Sequence, residues 1–211
     1  MPVDAVIYPV SLILQGRRCL VVGGGTVAER KVKGLLAAGA KVHVISPELC
    51  GELRSLVADR AITHEERPYH KGDVAGYRLV VAATGDPAIN RSVYEDGETA
   101  GIWVNAADDT DSCSFYLPAV ARQGVVTVAV STAGCSPALA SWLRSELAGR
   151  LPPELAEFAE FLAEARAELK AAGRSTEDVD WRPVLDWYMI DLIRKGLRAE
   201  AKERLEACLS S

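Results

Sequence analysis

Residues 19–28 read C-L-V-V-G-G-G-T-V-A and carry the densest chemistry of the chain. A short apolar run ends in Gly23, Gly24 and Gly25, and a helical pattern starts at once. The spacing G-x-G-x-x-A falls on Gly23, Gly25 and Ala28. Gly23 permits a tight turn out of a strand, Gly25 lets the backbone approach a pyrophosphate, and Ala28 keeps the helix close to a sheet. Phosphates then meet the unpaired N–H groups and positive dipole end of a helix N-terminus. The chemistry expected here is dinucleotide binding.

A cradle of this kind works only at the carboxyl edge of a parallel sheet. The pattern around it supplies one. Strands are expected at 17–22, 41–46, 61–65, 78–84 and 102–105, with helices at 26–38, 48–58 and 86–100 between them. The run R-L-V-V-A-A-T at 78–84 is almost continuously apolar, as in a strand buried on both faces. The fold class is therefore α/β, a Rossmann-type doubly wound parallel sheet. A further short strand is expected at 8–14, Y-P-V-S-L-I-L.

The pattern changes after Asp111. Two β-like segments, 113–121 and 125–131, flank Gln123-Gly124 and read as a hairpin. Ser136-Pro137 opens a helix with Ser as N-cap and Pro in the first turn. From 154 onward the chain is helical, with Leu155, Phe158, Leu162, Ala165 and Leu169 in one stripe and a break at 171–176. The domains expected are 1–112 for the dinucleotide, 113–149 as a small α+β segment, and 150–211 as a helical domain. The hairpin and its helix are too small to bury their apolar faces alone. A homodimer that pairs them across a two-fold axis is expected.

Three segments reach the sheet's ligand edge. The first is Gly23–Val27, with Gly24 and Thr26 inside it. The second is Ser46-Pro47-Glu48, where Ser46 occupies the place of the usual ribose-binding acid. Glu48 either serves the ribose hydroxyls or is an ordinary first-turn helix acid. No basic residue stands there to meet a 2′-phosphate, so NAD is expected over NADP. The third is Thr84-Gly85-Asp86, joined by Asn105-Ala106-Ala107-Asp108 after the fifth strand. Asp108 is the candidate proton acceptor, crowded by Asp109 and Asp111. Asn105 beside it is a candidate substrate contact. The loop 131–136 brings Ser131, Thr132 and Ser136 to a helix N-terminus, a site for a substrate carboxylate or a simple helix cap.

Other chemistries are disfavoured. The net charge is −5, with −4 of it in residues 151–211, and no basic stripe suggests nucleic acid. No apolar run reaches a membrane span, and the first residues lack a signal-peptide pattern, so a cytoplasmic location is expected. Five cysteines without C-x-x-C and three histidines without ligand spacing argue against a disulfide framework or a metal site. Tyr-x-x-x-Lys, needed by a short-chain dehydrogenase, does not occur. A non-catalytic NAD-sensing module remains the alternative.

Residues 8–31, Y-P-V-S-L-I-L-Q-G-R-R-C-L-V-V-G-G-G-T-V-A-E-R-K, resemble the opening of precorrin-2 dehydrogenases of the siroheme-synthase N-terminal type. The segments A-A-T-G-D-P-A-I-N (82–90), V-N-A-A-D (104–108), S-F-Y-L-P-A (114–119) and V-A-V-S-T-A-G-C-S-P-A-L-A (128–140) match in order and spacing. The resemblance implies NAD-dependent oxidation of precorrin-2, a polycarboxylate tetrapyrrole, to sirohydrochlorin. In some members it also implies ferrous iron insertion, a lyase activity. It places the catalytic aspartate at Asp108 and cofactor contacts at Thr26-Val27 and Pro47-Glu48. It also implies a Rossmann domain, a dimerisation segment and a helical C-terminal domain. The methyltransferase domain of the long fused members is not expected within 211 residues. Arg30, Lys31, Arg122 and Arg144 are available as local counter-charge for the substrate carboxylates.

Overall fold

The structure is a computed structural model and describes residues 6–107 and 109–209. The chain divides into two compact units, one of residues 1–117 with 133–135, the other of 118–132 with 136–211.

In the first unit, strands β1 (Arg18–Val22), β2 (Lys41–Ile45), β3 (Thr63–Glu65), β4 (Leu79–Ala82) and β5 (Trp103–Ala106) form one parallel sheet in the order β3-β2-β1-β4-β5. Helices α1 (Thr26–Ala37), α2 (Gly51–Ala58) and α3 (Pro87–Ala100) supply the crossovers, while residues 66–78 join β3 to β4 without a helix. Alternate strand residues point to opposite faces. Cys19, Val21, Val42, Val44 and Val81 pack with Ala28, Val32 and Leu53 on one side. Leu20, Val22, Val80, Ala82 and Val104 pack with Val93 and Val74 on the other. Both faces are covered, which accounts for the continuous apolar runs. The register pairs Val22 with Ile45 and with Ala82, and Ala82 with Ala106. The strand ends therefore stop level, and Gly23, Ser46, Ala83 and Ala107 share one edge.

Residues 8–14 form no strand. Leu14 is buried, but Tyr8, Val10 and Ile13 are exposed. The sheet leaves β3 and β5 at its edges, and this segment pairs with neither. Residues 113–115, expected to open the hairpin, lie along β5 instead. Cys113 bridges Asn105 in antiparallel fashion, and the Ser114 N–H donates to the Val104 carbonyl at 2.8 Å.

The second unit begins with an antiparallel hairpin, β6 (Ala119–Gln123) and β7 (Val126–Val130). Helix α4 (Pro137–Ala148) packs on both strands, and Ser136 caps it by accepting the Leu139 N–H at 3.2 Å. Helices α5 (Glu154–Ala171), α6 (Trp187–Arg194) and α7 (Arg198–Leu209) enclose a core that includes Phe158, Ala165, Leu169, Met189 and Leu205. Asp186 starts α6 by accepting the Met189 N–H at 3.0 Å, and Arg204 from α7 grips the same carboxylate at 2.7 Å. Among the described residues, no helix is long and apolar enough to cross a membrane.

Candidate functional site

A cleft of about 760 Å³ opens at the level strand ends of the first unit. Gly23, Gly24, Gly25, Thr26, Val27, Pro47, Glu48 and Thr84 all line it. Its volume lies within the usual range of ligand sites, about 300–1,000 Å³.

The three glycines differ in what demands them. Gly23 has φ +124°, a conformation that side chains rarely adopt, and a Cβ there would run into the Ala83 carbonyl. That glycine lets β1 turn sharply beside β4. A Cβ on Gly24 would strike the Glu48 carbonyl and lie 2.8 Å from the Ser46 hydroxyl. Gly24 thereby seats the β1–α1 loop on the β2–α2 loop, and its carbonyl accepts the Cys50 N–H at 2.7 Å. Gly25 is different. Its φ of −85° suits any residue, and a Cβ would meet nothing within 4 Å. Neither backbone nor packing requires a glycine there. The open space lies at the N-terminus of α1, where Gly25 is the cap residue and offers no side chain to the first-turn N–H groups. A pyrophosphate fits this place by charge and by room. Ala28, one turn on, is fully buried against the sheet.

On the β2 side, the Ser46 hydroxyl donates to the Glu48 carbonyl at 2.7 Å, and the Ser46 carbonyl takes the His64 ring nitrogen at 2.9 Å. Ser46 thus shapes the loop that presents Pro47 and Glu48. The Glu48 side chain is exposed.

On the β4 side, Thr84 is clamped by Asn90, a residue not singled out from sequence. Asn90 is 5% exposed on the first turns of α3. Its Oδ1 accepts the Thr84 N–H at 3.1 Å, and its Nδ2 donates to the Thr84 carbonyl at 3.2 Å. A primary amide here imitates a strand partner where β4 has run out. The signal was an Asn six residues after Thr84, on the helix turn facing the sheet.

Asp108 lies outside the described residues. Its neighbour Ala107 lines the cleft. Asp109 Oδ1 accepts the Asp111 N–H at 3.0 Å, as a turn cap does. Asn105 is buried, and its Nδ2 donates to the Phe115 carbonyl at 3.0 Å while its Oδ1 accepts Lys31 Nζ at 3.4 Å. Its amide therefore holds residues 113–115 along β5. Burial pushes the Cys113 thiol above its ordinary pKa. Cys113 is accordingly a packed thiol rather than a thiolate. Thr132 and Ser136 belong to the second unit, where the Ser136 N–H donates to the Thr132 hydroxyl at 3.1 Å. Ser131 lies in that unit too. Among the described residues, no group of three or more His, Cys, Asp or Glu gathers to hold a metal ion.

Comparison with known proteins adds to this geometry. A family model described as "Putative NAD(P)-binding" matches residues 10–119, and one described as "Sirohaem biosynthesis protein central" matches residues 123–150. The siroheme synthase of Nitrosococcus oceani is 37% identical over 203 residues, covering 95% of this chain and 43% of that protein. The siroheme synthase of Thioalkalivibrio sulfidiphilus is 39% identical over 206 residues, covering 97% and 42%. The chain thus spans less than half the length of these relatives. Among solved structures, SirC, a precorrin-2 dehydrogenase, superposes with a TM-score of 0.71 at 26% identity, over 97% of this chain and all of that one.

Proposed function

Since the chain belongs to the precorrin-2 dehydrogenase family of siroheme-synthase N-terminal type, we propose that it oxidises precorrin-2 to sirohydrochlorin with NAD⁺. The observation that carries the reading is the vacant side-chain position at Gly25, a pyrophosphate cradle in a fold that matches SirC from end to end. The reaction removes a hydride and a proton from the tetrapyrrole. When bound, NAD⁺ supplies the hydride acceptor. The protein's part is to hold, orient and deprotonate. The α1 N-terminus holds the pyrophosphate, and the Thr84–Asn90 clamp keeps one wall of the cleft in place. Asp108, two residues past β5, accepts the proton. Ser131, Thr132 and Ser136 offer donors to substrate carboxylates. Preference for NAD⁺ over NADP⁺ follows from the Ser46-Pro47-Glu48 loop, which carries no cation for a 2′-phosphate.

The enzyme acts as a homodimer in the cytoplasm in this reading. Five free cysteines suit a reducing compartment. The β6–β7 hairpin is covered by α4, yet Val125, Leu139 and Trp142 stay exposed, an apolar set suited to a second copy.

The test is an anaerobic assay of the purified protein with precorrin-2 and NAD⁺, alongside Asp108→Ala. The wild type should form sirohydrochlorin and NADH. Asp108→Ala should lose about 10²- to 10⁴-fold in rate and still bind NAD⁺. Absence of wild-type turnover would leave a binding module and overturn the function. Full activity in Asp108→Ala would overturn the residue's role. A parallel arm with ferrous iron and sirohydrochlorin reads whether metal insertion accompanies oxidation.

A further inference from the structure

Helix α3 buries a carboxylate that the reaction does not use. Asp96 is 6% exposed. Its Oδ2 accepts the Tyr69 hydroxyl at 2.5 Å and the Gly72 N–H at 2.7 Å. Both partners belong to the helix-free connection between β3 and β4. Burying a carboxylate costs several kcal/mol unless it is well bonded, so this group works as a pin between α3 and the connection. A second pin sits at the start of the same segment, where the Arg67 guanidinium takes Asp73 at 2.6 and 3.0 Å. Burial first, and the Asp96 carboxylate second, push the Tyr69 phenol well above its ordinary pKa, so it stays a donor to Asp96.

The pinned residue faces the cleft. Pro68 and Tyr69 line it just beyond β3, on the side of Pro47 and Glu48. In a parallel sheet of this kind the ribose of the adenosine half meets the end of the second strand, and the reacting ring lies across β1 toward the fourth and fifth. A purine on that course would pass between the β2–α2 loop and Tyr69, which line the same cleft.

We propose that Tyr69, held in place by Asp96, forms the purine wall of the dinucleotide cleft, with Asp96 as the positioning residue for cofactor affinity. The inference rests on the dinucleotide reading of the cleft. A wall pinned to α3, in a connection braced by its own Arg67–Asp73 pair, is in place before the ligand arrives, which spares the cost of ordering it on binding.

The test is calorimetric titration of the full chain with NAD⁺ and with ADP-ribose, which lacks the nicotinamide. Tyr69→Ala should weaken both about ten- to a hundred-fold, the range for loss of an aromatic platform under a base. Asp96→Leu should weaken both in the same direction. Asp96→Asn, which keeps an acceptor oxygen for Tyr69, should restore most of the affinity. In turnover, the loss in Tyr69→Ala should fall on KM for NAD⁺ and not on kcat. A wild type that binds neither ligand overturns the dinucleotide reading and the wall with it. A wild type that binds while Tyr69→Ala binds ADP-ribose equally well overturns the wall alone. Because Tyr69→Ala takes one of the two bonds from Asp96, the paired variant Tyr69→Ala with Asp96→Asn, which leaves no buried charge, answers even if a single variant fails to fold.

Discussion

Gly25→Val separates what the ligand asks of the glycine loop from what the fold asks. At Gly25 the backbone is ordinary, with φ −85°, and an added Cβ meets no protein atom within 4 Å. The expected effect on stability is only the poorer N-cap, about 1 kcal/mol. The effect on binding is larger, because the side chain fills the space a pyrophosphate would take. Hydrogen bonds to charged groups contribute about 1.5–3 kcal/mol each. Losing one or two amounts to about 1.5–6 kcal/mol, or roughly ten- to ten-thousand-fold in Kd. Gly24→Ala supplies the contrast. Its Cβ would run into the Glu48 carbonyl, a backbone atom that cannot swing aside. Overpacking of that kind costs about 1–3 kcal/mol. Urea unfolding and NAD⁺ calorimetry on both variants read the two quantities independently. Gly25→Val should lose no more than about 1 kcal/mol of stability and lose NAD⁺ affinity, whereas Gly24→Ala should lose stability through its clash. NAD⁺ bound by Gly25→Val within two-fold of wild type would refute the cradle. A loss of stability in Gly25→Val well beyond the about 1 kcal/mol of a poorer cap would refute the claim that the position is open.

Titration with NADP⁺ should give a weaker Kd than NAD⁺, and equal or tighter binding would count against the role given to Ser46-Pro47-Glu48. Light scattering should show a dimer at micromolar concentration, and Trp142→Glu on the exposed face of α4 should shift it to monomer; an unchanged mass in the variant would remove α4 from the interface. Asp186 is held down to about 2, chiefly by its bond to Arg204. Its folded pKa lies below the unfolded value of about 3.9, so its contribution is complete above pH 4 and is lost as pH falls toward 2. Unfolding measured across that window should be less acid-sensitive in Asp186→Asn; because the pair sits at the surface the difference is modest, and an identical pH dependence would dismiss it.

Local patterns in the chain already contained the parallel sheet. The run at 78–84 became β4, covered on both faces, and the glycine fingerprint stood between β1 and α1 as its spacing required. Ser136-Pro137 capped α4, and Phe158, Ala165 and Leu169 turned inward on α5. These features depend on neighbours within a turn of helix or a pleat of strand, so sequence spacing reports them directly. The segment at 8–14 had the composition of a strand but found no edge to pair with, and composition carries no information about a partner.

Sequence spacing also placed Gly23, Gly24 and Gly25 in one motif without separating their tasks. That separation depends on Glu48 and Ala83, which come beside the loop only when β2 and β4 flank β1. The Tyr69–Asp96 pin was likewise decided in three dimensions, between residues 27 positions apart. Residues 113–115 lie along β5, where the Val104 carbonyl takes the Ser114 N–H, although their own pattern suited a hairpin. The chain by itself determined the five strands of the parallel sheet, the helices between them and the place of the glycine loop, since those follow from periodicity and from glycine. Only the tertiary structure decided which groups face the cleft and which are held behind it, because burial and hydrogen-bond partners come from residues far away in sequence.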